Sequence, residues 1–238
     1  MSTTLTPLIW TAAGIGFIHT LAGPDHYLPF VMLGRARGWP LVKTLWITAL
    51  CGLGHVAGSV VLGLIGIGLG LAIHELVSIE SLRGELAAWA LLAFGLGYLA
   101  WGIRLAYRRR PHSHSHYHLD GSVHEHQHQH KSNHAHLHLA MEGGSGATPW
   151  ALFVIFVLGP CEPLIPVLIF PASSASLAGI LLVSAVFGLV TITTMIAITA
   201  LLVLGARQLR LDGLGRWSHA LAGGTLMLSG LFMLTLQV

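Results

Sequence analysis

Long apolar stretches alternate with short polar connections along most of the chain. A membrane-spanning helix needs about 20 largely apolar residues, and six stretches of the sequence reach or approach that length. They cover approximately residues 8–33, 44–73, 86–103, 149–171, 172–206 and 217–238. The pattern therefore predicts an all-α polytopic membrane protein with about six transmembrane helices.

Two of the six predicted spans are interrupted by a glycine–proline pair. Gly23-Pro24 divides the first span, and Gly159-Pro160 divides the fourth. Proline has no backbone N–H and suits the first position of a helix, so it commonly ends one helix and begins another. We expect the first span to be a broken helix, and the fourth to be either a broken helix or a re-entrant hairpin.

The composition also favours a membrane protein, because 54% of the 238 residues are hydrophobic and only 9% are charged. Soluble domains carry about 25% charged residues. The segment before the first apolar stretch has no basic residue, which argues against a cleaved signal peptide. Both cysteines, Cys51 and Cys161, lie in apolar stretches, so a disulfide scaffold is not indicated.

Basic residues are concentrated in the connections that follow the first, third and fifth spans. These connections contain Arg35, Arg37, Lys43, Arg104, Arg108, Arg109, Arg110, Lys131, Arg207, Arg210 and Arg216. The positive-inside rule places them in the cytoplasm and both termini outside, in a multi-pass protein of the cytoplasmic membrane. The remaining basic residue, Arg83, lies with Glu75, Glu80 and Glu85 in the second connection, which is predicted to lie on the outer side.

The two halves of the chain resemble each other at a nearly constant offset. A shift of 136 residues places Gly23-Pro24 on Gly159-Pro160 and Gly52 on Gly188, and a shift of 135 places Gly95 on Gly230. With three spans each, the two copies insert in opposite orientations, as in many secondary transporters. We predict two inverted three-helix repeats with broken first helices, residues 1–107 and 148–238, joined by a cytoplasmic loop, residues 108–147.

Acidic residues are rare within the apolar stretches, where we find Asp25 and Glu162. Each follows a proline break, in the predicted first turn of a half-helix whose positive end favours a carboxylate. Two carboxylates that face each other in a membrane need a cation between them, because unpaired buried charge is costly. We therefore predict that Asp25 and Glu162 meet at the repeat interface and share a bound metal ion or proton.

Imidazole and thiol groups complete a candidate metal site near the two breaks. His19 and His26 are seven residues apart, about two helical turns, and His55 lies inside the second predicted span. Imidazole, carboxylate and thiolate ligands suit nickel, cobalt, zinc or copper better than magnesium or calcium. The predicted metal ligands are His19, Asp25, His26, His55, Cys161 and Glu162. Hydrogen bonding to a kinked backbone for His55, and simple packing for Cys161, are the alternative roles.

Eleven histidines lie in the predicted cytoplasmic loop: His112, His114, His116, His118, His124, His126, His128, His130, His134, His136 and His138. Histidine-rich tracts commonly bind metals, and the low apolar content favours disorder in the absence of metal. Neutral imidazole is the metal-binding form, so capture should weaken below about pH 6.5. We predict that this loop captures metal ions; a pH-responsive linker without a metal role is the alternative.

The motif HTLAGPDH (residues 19–26), followed by Leu53-Gly54-His55 in the next span, resembles the signature of nickel/cobalt transporters of the NicO and UreH-like group. That group is related to the nickel/cobalt permeases and belongs to the superfamily of lysine exporters. The permeases have a His-x4-Asp-His motif, and the spacing here is one residue longer. The resemblance implies a small secondary transporter in which His19, Asp25, His26 and His55 line the metal path. The GPCEPLIP stretch (residues 159–166) resembles the proline-flanked cysteine motif of CcdA-like thiol carriers.

We therefore expect a secondary transporter for a divalent transition metal, with nickel or cobalt first and zinc next. The metal is substrate and no cofactor is permanently bound. Protons are the expected coupling ion, membrane lipid surrounds the protein, and we expect neither enzymatic activity nor nucleic-acid binding. Three alternatives stay open from the sequence: a thiol-redox protein that uses Cys51 and Cys161, an exporter of a small anion or amino acid, and a metal-sensing or urease-maturation accessory protein.

Overall fold

The computed structural model describes residues 2–108, 112–117, 123–128, 147–173, 177–208 and 212–236. Over these ranges the chain forms eight α-helices and two short 3₁₀ turns, Pro24–His26 and Asp212–Trp217. The helices are α1 (Ser2–Ala22), α2 (Leu28–Ala36), α3 (Leu41–Gly68), α4 (Ile73–Arg108), α5 (Ala147–Leu158), α6 (Leu164–Ser173), α7 (Leu177–Gln208) and α8 (Ser218–Leu236).

Four of these helical segments are long and apolar enough to cross a membrane: Leu41–Gly68, Ile73–Arg108, Leu177–Ala206 and Gly215–Thr235. By length and composition they support a helical membrane protein. Two further apolar helices, Thr6–Ala22 and Ala147–Leu158, are shorter than a full span. The difference from six continuous spans arises because the first and fourth apolar stretches are each divided into two short helices.

Both divisions occur at the glycine–proline pairs. Helix α1 ends at Ala22, Gly23 is extended with φ −91° and ψ 96°, and Pro24 begins the 3₁₀ turn that leads into α2. Helix α5 ends at Leu158, and α6 begins five residues after Gly159. The broken helices that proline predicts are therefore present, since its ring fixes φ and removes the N–H that would continue the helix.

Helix α4 begins earlier than the hydrophobic pattern predicts. The apolar stretch begins at Leu86, but the helix already begins at Ile73. Glu80 and Arg83, predicted to lie in an outer connection, are therefore inside the helix, and Glu80 is completely buried. The prediction was wrong because the two charges neutralise each other one turn apart, which a residue-by-residue hydropathy scale does not register.

Helices α4 and α8 pack closely against each other along their length. A Cβ atom added to Gly95 would meet the backbone of Met227, and one added to Gly102 would meet the backbone of Ala220. The residue numbers at these contacts increase along α4 while they decrease along α8, so the two helices are antiparallel. Small residues at such crossings allow backbones to approach and are typical of helix packing in membranes.

The other long helices pack in pairs that cross between the two halves of the chain. Helix α1 packs against α7, α5 packs against α3, and α3 also contacts α7. One apolar core cluster includes Phe30, Cys51, Phe156 and Met195, and a second includes Ala12, Cys161, Val183 and Phe187. The two broken helices, α1–α2 and α5–α6, therefore pack against the long helices α3 and α7.

Part of the histidine-rich loop forms a β-hairpin. Strands β1 (His112–Tyr117) and β2 (Val123–His128) pair antiparallel, with His112 opposite His128, His114 opposite His126 and His116 opposite His124. The expectation of disorder is wrong for these two strands, because the alternating sequence has the period of a strand and allows cross-strand pairing. The remaining loop histidines, His118, His130, His134, His136 and His138, lie outside the described residues.

Candidate metal centre

Three histidines from three different elements meet at the first helix break. His19 lies in the last turn of α1, His26 ends the 3₁₀ turn, and His55 lies near the midpoint of α3. The ring centroids of His19 and His26 are 4.8 Å apart, and those of His26 and His55 are 5.1 Å apart. The break brings the first two rings together, because it redirects the chain within one turn of His19.

The three rings have the arrangement of a metal site. One ring nitrogen from each histidine lies within 4.8 Å of the others. Among the described residues, these three histidines form the one group of three or more histidine, cysteine or carboxylate ligands. The Nε2 atoms of His19, His26 and His55 are buried and have no hydrogen-bond partner. Buried polar atoms are normally paired, so three unpaired nitrogens at one point favour a ligand that accepts all three lone pairs.

Two of the rings are oriented through their other nitrogen. Nδ1 of His26 lies 3.2 Å from the Gly23 carbonyl oxygen and 3.2 Å from Oδ2 of Asp25. Nδ1 of His55 and the carbonyl oxygen of Phe156 face the same point beside Gly159, since a Cβ atom added there would lie 3.0 Å from the first and 3.1 Å from the second. Metal-binding histidines almost always donate their second N–H to a carbonyl or carboxylate, which fixes the ring and exposes Nε2.

Two glycines leave the space that these rings occupy. A Cβ atom on Gly23 would lie 2.5 Å from Nδ1 of His26, and one on Gly159 would lie 3.0 Å from Nδ1 of His55. Each glycine belongs to one of the two breaks. Each glycine–proline pair therefore has two roles at the site. The proline divides the helix, and the glycine leaves space for an imidazole to pack against the backbone.

A small cavity of about 20 Å³ lies at the three histidines and is also lined by Asp25, Gly159 and Pro160. This volume accommodates a single particle the size of a water molecule. Ligand atoms of one metal, each about 2.1 Å from it, lie about 3.4 Å apart in a tetrahedral site. Nitrogens up to 4.8 Å apart must therefore close by as much as about 1.4 Å to bind one ion together. The cavity has room for one small cation once the rings move closer.

The structure does not bring Cys161 and Glu162 into this group of histidines. Cys161 is fully buried in the apolar cluster that contains Val183 and Phe187, and it is a free cysteine, as is Cys51. Glu162 lines a second cavity of about 260 Å³ together with Glu85. Of the six predicted ligands, the structure gathers His19, His26 and His55, with Asp25 bonded to His26.

The two cavities are neighbours, because Pro160 and Met233 line both of them. The second cavity adds Ser81, Glu85 and Glu162 to its lining. A cation that reached the histidines from this direction would first meet carboxylates and then pass the proline of the second break. Asp25 lines the first cavity and Glu162 lines the second, with Pro160 in both linings.

An ion pair that the sequence reasoning did not assign to the site contacts the second break. Arg83 forms an ion pair with Glu80 and donates a hydrogen bond of 2.8 Å to the Val157 carbonyl. Ser59 donates to Glu80 across 3.2 Å. The signal in the sequence was the helical i, i+3 spacing of Glu80 and Arg83 without a helix breaker between them.

Comparison with known proteins leaves the family open. No protein-family model matches the chain, and no solved structure matches it. The chain is similar to "Chloroplast protein FOR GROWTH AND FERTILITY 2" from Arabidopsis thaliana, at 35% identity over 95 residues. The aligned segment covers 39% of this chain and 22% of that protein.

Proposed function

We propose that the protein is a secondary transporter for a divalent transition-metal ion, with nickel or cobalt as the first candidates and zinc as the next. The observation that carries the proposal is the cluster of three histidines at the first break, in which one ring nitrogen of each lies within 4.8 Å of the others and each Nε2 atom is buried without a hydrogen-bond partner. Imidazole nitrogen is a good ligand for these metals and a poor one for magnesium or calcium. Ionisable groups within a membrane commonly mark an ion pathway.

Three imidazoles suit an ion that binds and leaves. Structural zinc sites are closed by four protein ligands, whereas sites with three ligands keep one position open for exchange. Here Asp25 contacts His26 and the 3₁₀ turn rather than joining the three nitrogens. The open position and the neighbouring carboxylate-lined cavity favour transport over permanent storage.

Glycines at equivalent positions of the two predicted repeats lie where α3 and α7 contact each other. A Cβ atom on Gly52 would lie 3.3 Å from Cγ1 of Ile192, and one on Gly188 would lie 2.9 Å from Cγ1 of Val56. Adding 136 converts position 52 to 188 and position 56 to 192. Any antiparallel helix pair has such reciprocal contacts, so the repeat is favoured by the glycine at both positions 52 and 188, as inverted repeats place equivalent residues at their interface.

Helices α4 and α8 contain a second reciprocal pair. A Cβ atom on Gly95 would meet the backbone of Met227, and one on Gly230 would meet the backbone of Leu92. Adding 135 converts 95 to 230 and 92 to 227. In the proposed topology the two broken helices each complete a span, giving six, with the metal at the repeat interface and both termini outside.

Flux in reconstituted vesicles tests the proposed function. The full-length protein is incorporated into liposomes that contain a metal-sensitive dye, and uptake of Ni²⁺, Co²⁺ and Zn²⁺ is measured with and without a pH gradient. We expect His26→Ala and His55→Ala to abolish flux, because each removes one of three ligands. Glu75→Gln, which changes an exposed carboxylate on α4 that lines neither cavity, serves as the matched control and should retain transport. Unchanged flux in both histidine variants would reject the site.

The histidine-rich loop has a separate test in the same vesicles. If the loop captures metal for the transporter, deleting residues 112–138 should raise the metal concentration needed for half-maximal flux and leave the maximal flux unchanged. The assay also determines direction, since the loop is predicted to lie in the cytoplasm. An effect seen only when the loop side faces the metal source would support export.

A further inference from the structure

The second helix break, between α5 and α6, is stabilised by an ion pair on α4, Glu80 and Arg83. Nη2 of Arg83 donates to the carbonyl oxygens of Val157 and Gly159, across 2.8 Å and 3.3 Å. The backbone N–H of Cys161 donates to Oε2 of Glu80 across 3.3 Å. The guanidinium thus meets the negative C-terminal end of α5, and the carboxylate meets the chain entering α6, which matches the polarity of the two helix ends.

The pair is buried and closed by additional contacts. Glu80 is completely buried, and the side chain of Arg83 is 17% exposed. Ser59 on α3 donates to Oε2 of Glu80 and lies 3.4 Å from Nη1 of Arg83. Gly58 leaves the necessary space, because a Cβ atom there would lie 2.8 Å from Nη2 of Arg83 and 2.9 Å from the Val157 carbonyl oxygen.

The hydrogen bonds described at the first break are local. The N–H of Gly23 donates to the His19 carbonyl, the N–H of His26 donates to Gly23, and the Tyr27 hydroxyl donates to the Leu21 carbonyl across 3.3 Å. The second break also has local N–H bonds, but its carbonyls at Val157 and Gly159 in addition accept from a side chain of α4. The two breaks therefore differ in this contact with a distant helix.

The hydrogen bonds from Arg83 to the second break also connect to the candidate metal centre. Phe156, whose carbonyl oxygen lies with Nδ1 of His55 beside Gly159, immediately precedes Val157, whose carbonyl oxygen accepts from Arg83. We propose that Glu80 and Arg83 are positioning residues: their ion pair holds the second break open beside the three histidines and, through Phe156, orients the ring of His55. The effect on metal binding rests on the proposed function, but the effect on the break does not.

Thiol labelling tests the break independently of any metal. Cys161 is fully buried at the break and Cys51 is buried on α3, so each reports a different region. In the detergent-purified full-length protein, labelling of each cysteine with N-ethylmaleimide is followed by mass spectrometry. We expect Arg83→Gln and the uncharged pair Glu80→Gln/Arg83→Gln to speed labelling of Cys161 at least tenfold, with labelling of Cys51 unchanged. Faster labelling of both cysteines, or of neither, would overturn the proposal.

A glycine substitution provides a variant that keeps both charges. Gly58→Ala displaces the guanidinium by steric contact, and we expect it to speed labelling of Cys161 as well. Gly68→Ala is the matched control on the same helix, because a Cβ atom there meets nothing within 4 Å. Equal labelling of Cys161 in the two glycine variants would contradict the assigned contact.

Cobalt binding then tests the step from the break to His55. Co²⁺ affinity is measured by isothermal titration for the wild type, Arg83→Gln, His55→Ala and the double variant. We expect Arg83→Gln to weaken binding at least tenfold, as loss of a group behind a ligand typically does, and to have no further effect once His55 is absent. Additive losses would overturn the positioning role. A wild-type protein that binds no Co²⁺ would instead reject the proposed function, and the thiol result would still decide the effect on the break.

Discussion

Replacing Asp25 with asparagine should weaken metal binding moderately without abolishing it. Oδ2 of Asp25 lies 3.2 Å from Nδ1 of His26, while Nε2 of the same ring is the unpaired atom in the cluster. Asparagine preserves the size of the side chain and an acceptor oxygen, but removes the negative charge. The substitution therefore tests whether the carboxylate acts behind the ligand rather than as a ligand.

The length of the Asp25–His26 contact indicates how large the loss of metal affinity should be. Loss of a group behind a metal-binding histidine costs about 10–100-fold in affinity. The Asp25–His26 contact is longer than the 2.7–2.9 Å typical of strong charge-assisted bonds. The Gly23 carbonyl, also 3.2 Å from Nδ1, is unaffected by the change. We therefore expect the low end, a loss of about tenfold or about 1.4 kcal/mol.

Titration of the purified protein with Co²⁺ measures this difference. His26→Ala is the comparison, because it removes a ligand and should weaken binding more than 100-fold, beyond the range for a supporting group. Glu75→Gln, on α4 and outside both cavities, controls for the general loss of a carboxylate. If Asp25→Asn were as damaging as His26→Ala, Asp25 would be a direct ligand. If it had no effect, the carboxylate would not orient His26.

Three further predictions follow from local geometry. Gly23→Ala should weaken Co²⁺ binding at least tenfold, because its Cβ atom would lie 2.5 Å from Nδ1 of His26; Gly14→Ala on α1, with nothing within 4 Å, should bind as the wild type does. Metal affinity measured by titration should fall with decreasing pH by up to tenfold per unit for each histidine that is protonated before the metal binds, because the metal binds neutral imidazole; an affinity that rises as the pH falls would contradict imidazole ligands. Gly95→Leu should lower the thermal midpoint by about 2–12 °C, since overpacking costs about 1–3 kcal/mol and each kcal/mol corresponds to about 2–4 °C in a chain of this size; Gly97→Leu, which meets open space on the same helix, should leave the midpoint unchanged.

The sequence predicts the helical membrane character and both helix breaks correctly because these depend on local properties. Apolar length defines a span, and a glycine–proline pair divides a helix wherever it occurs. The start of α4 was not predictable in the same way. Glu80 and Arg83 look like connection residues until their pairing across one helical turn, and their contact with the second break, are known.

The site was predicted in part for a similar reason. His19 and His26 flank one break, so their proximity follows from the local chain, and His55 joins them because α3 passes the break at its midpoint. The position of Glu162 depends instead on the path of the chain after the second break. Four residues lie between Gly159 and Leu164, and in this stretch Cys161 belongs to an apolar cluster and Glu162 lines the second cavity. Repeat symmetry predicted that the two carboxylates meet, and the structure places them in the linings of two neighbouring cavities.

The difference between the two breaks gives the proposed transport cycle a physical basis. All three imidazoles lie on α1, the first 3₁₀ turn and α3, and among them the His55 ring lies against the second break, beside Phe156 and Gly159. The second break contributes Gly159 and Pro160 to the wall of the small cavity, and Pro160 also borders the carboxylate-lined cavity. A movement confined to the second break would therefore change access to the histidines while leaving His19 and His26 in place. Arg83 and Glu80 stabilise that break from α4, so their ion pair would set the free energy of the movement. Alternating exposure of the histidines would require the carbonyls of Val157 and Gly159 to lose their hydrogen bonds from Arg83 and to accept from other donors.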